Sequence, residues 1–164
     1  MLPKLEGMDD RILLMPDGVA DEIDTLLNST VGVEGQFGED GQFTHLMICR
    51  RTGQVYNSMC HELPKTATGN PAYLHPKDLE GLDAQPGQVM RLVSAHGAID
   101  VELASDPSLR RGVVSISHGF GSAAGGERNS GFGSVADLLS TEATLDRVVR
   151  MPRMSAVPVR FEVI

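Results

Sequence analysis

The stretch Val89-Met90-Arg91-Leu92-Val93-Ser94-Ala95-His96-Gly97-Ala98-Ile99-Asp100-Val101-Glu102-Leu103-Ala104 decides the fold class. Val89–Ser94 reads as a strand, His96-Gly97 as a tight turn, and Ala98–Ala104 as the hairpin partner. In the partner, Ile99, Val101 and Leu103 alternate with Asp100 and Glu102, a period of two that turns one face to the core and one to water. The same pattern recurs outward from this hairpin. Val113–His118 is a further strand with Val114 and Ile116 on one side, and Val157, Val159, Phe161 and Val163 alternate with Pro158, Arg160 and Glu162 in a closing strand. Leu46–Arg50 is a short apolar run suited to a buried strand, and Ala72–His75 a shorter one. Pro76 opens a helical turn over Lys77–Glu80, because proline is tolerated at the first helical position. Ser134–Leu139 reads as another helical turn.

Nearer the N-terminus, Ala20–Leu27 is expected to be helical. Val19, Ile23, Leu26 and Leu27 share one face, and acids occupy the first turn, where the helix dipole favours them. The stretches Arg51–Asn70 and Gly119–Gly133 lack periodicity and are expected to be long loops, which in a compact domain are functional or disordered. The residues alone therefore give a small β-barrel or sandwich with one or two short helices.

A chain of 164 residues accommodates one domain with a hydrophobic core. Its net charge is -8, and its basic residues gather only in pairs such as Arg50-Arg51 and Arg110-Arg111, so nucleic acid is not an expected partner. Cys49 and Cys60 make no disulfide framework and no CxxC, and read as reduced thiols of a cytoplasmic protein. No apolar run approaches membrane-spanning length, and the N-terminus has no signal-peptide pattern.

The five histidines are scattered, with no HxxxH or HExxH, and read as polar residues rather than metal ligands. Ser115-Ile116-Ser117-His118 and Cys60-His61 set nucleophiles beside histidines, but sequence adjacency is not triad geometry. Gly119-Phe120-Gly121-Ser122-Ala123-Ala124-Gly125 has the spacing GxGxxxG, not GxGxxG, and no good helix follows, so it is a weak nucleotide signal. What remains is a polar set at strand ends: Arg50, Arg51, Tyr56, Asn57, Ser58 and His61 after the first core strand, and His118-Gly119 after a later one. Arginine suits phosphate through its donor fork, and Asn and Ser offer donors and acceptors to a heterocycle edge.

The order of these signals resembles the molybdopterin dinucleotide-binding domain of the molybdopterin oxidoreductases. Leu46-Met47-Ile48-Cys49-Arg50-Arg51 followed by Tyr56-Asn57-Ser58-Met59-Cys60-His61 is similar to that domain's opening, a strand ending in Arg and a loop carrying Asn-Ser and then His. Leu74-His75-Pro76-Lys77-Asp78-Leu79 resembles its His-Pro-x-Asp-Ala step, and Gly87-Gln88-Val89 its Gly-Asp-x-Val. Ser94-Ala95-His96-Gly97 resembles its Ser-x-x-Gly, and Gly112–Gly121 its Gly-Val-Val strand ending in His-Gly-Trp-Gly. The resemblance runs from His45 to Ile164. Residues 1–44, including Arg11-Ile12-Leu13-Leu14 and the helix, look like the linker that precedes the domain in full enzymes.

This resemblance implies a mainly β double-psi β-barrel over 45–164, within an enzyme of the formate dehydrogenase, nitrate reductase and dimethyl sulfoxide reductase group. Arg51, Asn57, Ser58 and His61 would contact molybdopterin guanine dinucleotide, and His118 and Gly119 would line the same cleft. Molybdenum or tungsten would be carried by other domains or subunits of the parent oxidoreductase, leaving this chain without a catalytic or metal-ligating residue. Ala136 and Leu139 depart from the Asn and Thr of many relatives, which implies one polar contact to the cofactor fewer. A free-standing barrel acting as a binding or adaptor module is the alternative. A self-cleaving pyruvoyl enzyme is a third reading, for which Gly121-Ser122 and Gly133-Ser134 are chance-level candidates.

Overall fold

The structure, a computed structural model, describes residues 15, 18–28, 41–57, 59–61, 63, 69–121, 134–139, 145–146 and 148–164. The expectations placed on Arg11–Leu14, on Ser58 and on most of the 119–133 stretch lie outside those residues.

The strands are β1 (His45–Arg50), β2 (Ala72–Leu74), β3 (Val89–Ser94), β4 (Ala98–Ser105), β5 (Val113–Ser117) and β6 (Ser155–Glu162). They close into a barrel in the order β1-β5-β2-β4-β3-β6. Pairing is parallel for β1 with β5 and for β2 with β4, and antiparallel for the other four neighbours. Helices α1 (Val19–Asn28) and α2 (Pro76–Gly81) and a 3-10 turn (Val135–Leu138) complete the described elements. This is the mainly β closed barrel with short helices that the resemblance implies, and it is consistent with a double-psi barrel.

Alternation fills the barrel. Ile99, Val101 and Leu103 of β4 are buried while Glu102 is exposed. They meet Leu92 and Met90 of β3, Val114 and Ile116 of β5, and Met47 of β1 in one apolar core. In β5 the simple alternation fails, because Ser115 and Ser117 are buried as well. The β3–β4 turn is tied by Ser94, whose hydroxyl oxygen accepts from the His96 and Gly97 amides at 3.0 and 3.2 Å. In α2, Pro76 takes the first position, and the His75 side chain accepts from the Lys77 amide at 3.1 Å. The buried Asp78 carboxylate accepts from the Gly112 amide at 2.7 Å, fixing α2 to the start of β5. The apolar stripe of α1 does not enter the core, since none of its residues is buried.

His45 is buried at the start of β1, edge-on to Phe161 with ring centroids 5.3 Å apart. Burial pushes its imidazole below the ordinary 6.5, partly opposed by the Asp78 carboxylate. The unfolded chain therefore binds this proton more tightly than the folded one. Stability from this group is complete above the unfolded value and is lost as pH falls through it toward the folded value. Acidification from about pH 7.5 to about 5.5 is expected to lower the urea midpoint, and less so in His45→Gln. Equal pH slopes for the two proteins would refute this assignment.

Candidate functional site

Parallel pairing gathers the polar residues. Arg50 of β1 lies opposite Ser117 of β5, so Arg51 and His118 leave the barrel at the same end. β2 runs antiparallel to β5 and begins at that end. The connection from β1 to β2 therefore starts and ends at this rim, and its described residues Asn57 and His61 meet the end of β5. Residues more than 60 positions apart in sequence meet there because of strand direction, not chain proximity.

Two clasps join the crossing loop to the end of β5. In the first, His118 Nε2 lies 3.0 Å from Asn57 Oδ1, and Arg51 Nη1 donates to the same oxygen at 3.4 Å. Guanidinium nitrogen can only donate, which assigns the amide oxygen to this atom and the proton to His118 Nε2. Among the described residues these two bonds use only the Asn57 amide oxygen, not its NH2 group. In the second clasp, His61 Nε2 donates to the Gly119 carbonyl at 3.0 Å, and its ring meets the buried Phe120 edge-on at 4.6 Å. Tyr56 and Met59 exchange backbone hydrogen bonds at 3.1 and 3.0 Å, a tight turn in which Asn57 has φ 55. Asn tolerates this left-handed conformation better than most residues.

The second ring nitrogens, His61 Nδ1 and His118 Nδ1, are buried and have no hydrogen-bond partner among the described residues. A buried polar atom without a partner is rare and calls for a ligand or water. Arg51, Asn57, His61, His118 and Gly119 are thus brought to one rim, while Ser58 lies outside the described residues. Arg50 is turned away from them. Its guanidinium stacks 4.0 Å over Tyr73 and lies 3.7 Å from Asp106.

Ser117 is no nucleophile partner of His118. Its hydroxyl accepts from Thr52 Oγ1 at 2.7 Å and donates to the Arg50 carbonyl at 3.0 Å. Asn70 was missed by sequence reasoning, because an Asn before Pro reads as a turn residue. It is buried and bonded twice to Ser117. Among the described residues no His, Cys, Asp and Glu cluster could hold a metal. An open, mostly apolar pocket of about 550 Å³, lined by Leu145, Val149, Met151 and Met154 among others, flanks the start of β6 and shares no residue with the two clasps.

The family model described as molydopterin dinucleotide binding domain matches residues 46–157. No curated protein sequence matches the chain. Among solved structures, acetylene hydratase from Pelobacter acetylenicus is similar in fold, with a TM-score of 0.70 and 18% identity over 90% of this chain and 23% of that one. The chain thus spans about a quarter of the length of that enzyme. A likeness at this level of identity shows the fold, and the family match, which covers more than half of the chain, shows kinship. It runs from β1 to the start of β6 and contains every residue of the two clasps, and the chain belongs to the molydopterin dinucleotide binding domain family.

Proposed function

We propose that this chain is the C-terminal cofactor-binding part of a molybdenum- or tungsten-dependent oxidoreductase of the formate dehydrogenase-like group, that it holds molybdopterin guanine dinucleotide, and that it is not catalytic alone. The observation that carries the reading is the pair of buried, partnerless imidazole nitrogens beside Arg51 on one barrel rim. With their protons on Nε2 they accept, and beside the Arg51 guanidinium they fit a ligand that carries both N–H donors and an anionic group, as a dinucleotide does. Arg51 would pair with a phosphate through its donor fork. The Asn57 NH2 would meet an acceptor on the pterin edge. The two Nδ1 atoms would accept from ring N–H groups. When bound, the cofactor supplies the redox-active metal centre, and this chain supplies orientation and charge compensation. Other domains or subunits of the parent enzyme would complete the cleft.

Titration of the chain with GDP, followed by amide NMR, tests the reading. Shifts are expected at Arg51, Asn57, His61, His118 and Gly119. Arg51→Ala is expected to weaken binding roughly tenfold or more, the worth of a hydrogen bond to a charged group. Wild-type shifts absent from this rim at millimolar GDP would overturn the reading in favour of a free-standing binding module. That alternative draws support from the 3-10 turn, where Ala136 and Leu139 stand at the positions at which relatives carry Asn and Thr, and Leu139 packs against the core instead of offering a polar contact.

A further inference from the structure

Ser117 uses every hydrogen-bonding group it has, and each partner comes from a chain segment at the rim that carries the two clasps. Its amide donates to Asn70 Oδ1 at 3.1 Å, and its carbonyl accepts from Asn70 Nδ2 at 2.7 Å. Its hydroxyl bridges Thr52 Oγ1 and the Arg50 carbonyl. The register of β2 against β5 pairs Tyr73 with Ser115 and Leu74 with Val114, so its continuation would set Pro71 opposite Ser117. Proline has no N–H to give. The Asn70 side-chain amide, with one donor and one acceptor in the geometry of a peptide group, takes over both sides of that pairing. Three backbone segments are thereby tied to one residue: the exit of β1 at Arg50–Thr52, the exit of β5 before His118, and the approach to β2. Both Ser117 and Asn70 are buried, so these bonds are shielded from competing water.

We infer that Ser117, together with Thr52 and Asn70, forms a set of positioning residues that fixes Arg51 and His118 at the separation at which both engage Asn57. The β1–β5 ladder ends at the Arg50–Ser117 pair. Arg51 and His118 lie one residue beyond it, where neither is held by strand pairing. The Thr52–Ser117–Arg50 chain bridges that gap, carrying the alignment of the two strands one residue further, to the side chains that engage Asn57. The inference rests on the cofactor-binding reading for its functional meaning, but its geometric part stands on the clasp itself.

The test uses the intact chain with Thr52→Val, which is near-isosteric, and with Ser117→Ala. The His118 Nε2–H signal is followed by NMR without ligand, and GDP affinity is measured well below the melting temperature. Both variants are expected to shift and broaden the Nε2–H signal and to weaken GDP binding roughly 5–10-fold, the scale of one well-made hydrogen bond. Arg51→Ala is expected to lose most of its effect when combined with Ser117→Ala, since the two then remove one shared geometry. A melting temperature that falls while the Nε2–H signal and GDP affinity stay at wild-type values would reduce these residues to scaffold and overturn the inference. If the wild-type chain does not bind GDP, the cofactor reading fails, and the Nε2–H signal decides the positioning role by itself: displaced in Thr52→Val it stands, unchanged it falls.

Discussion

Leu92→Ala is expected to lower the unfolding free energy by about 2–5 kcal/mol, with a lower urea midpoint and an unchanged slope. Leu92 has no exposed surface. It sits at the middle of β3, opposite Ile99 of β4 and Phe161 of β6. Truncation removes apolar contact and leaves a cavity. How far the cavity closes sets the place within that range. In a closed barrel the neighbouring strands are hydrogen-bonded on both sides, so they cannot move inward without breaking ladder bonds. The loss should therefore lie in the upper part of the range. Leu92→Met keeps the volume and is expected to cost under about 1.5 kcal/mol. A Leu92→Ala loss below about 1 kcal/mol would mean that the interior repacks freely, contrary to a tightly filled barrel.

Gly97→Ala is expected to destabilise the chain by about 1–3 kcal/mol, whereas Gly81→Ala should be neutral or stabilising by up to about 1 kcal/mol. A Cβ at Gly97 would overlap the backbone carbonyl of Asp137. Backbone cannot rotate out of the way as a side-chain tip can. The 3-10 turn would have to lift from the β3–β4 hairpin, and it carries Val135 and Leu138, both buried in the core. Around Gly81, at the end of α2, an added Cβ meets nothing within 4 Å. There the substitution mainly reduces the freedom of the unfolded chain. Thermal unfolding of both variants separates the two cases, and equal shifts would show that the hairpin and the 3-10 turn do not pack as closely as described. Gly97 belongs to the Ser-x-x-Gly stretch. Its role among the described residues is this close approach, together with the turn held by Ser94.

Much of the fold was legible in the residues. The β3–β4 hairpin was readable because alternation of side chains is a local property of an extended backbone. The observed strands differ from the expected ones by a residue or two at their ends: β4 runs one residue further, β5 stops at Ser117, and β6 starts at Ser155. The α2 turn was readable from Pro76. Arg51, Asn57, His61, His118 and Gly119 stand out as candidates only through the order of family-like signals. Composition gave no reason to separate them from other loop residues. Arg50 looked equivalent to Arg51, yet its guanidinium lies on Tyr73 beside Asp106.

Where strands form, which of their faces are apolar, and that the chain is mainly β all follow from neighbours a few positions apart and are written in the residues. Closure of the barrel sets β1 and β5 side by side and parallel, buries Ser115 and Ser117, and puts the Asn70 amide where Pro71 cannot pair. Those outcomes depend on contacts between segments tens of residues apart, whose register is set when the barrel closes. No local propensity encodes that register. Arg51 and His118 meet at Asn57 only because two strands distant in sequence end at the same rim.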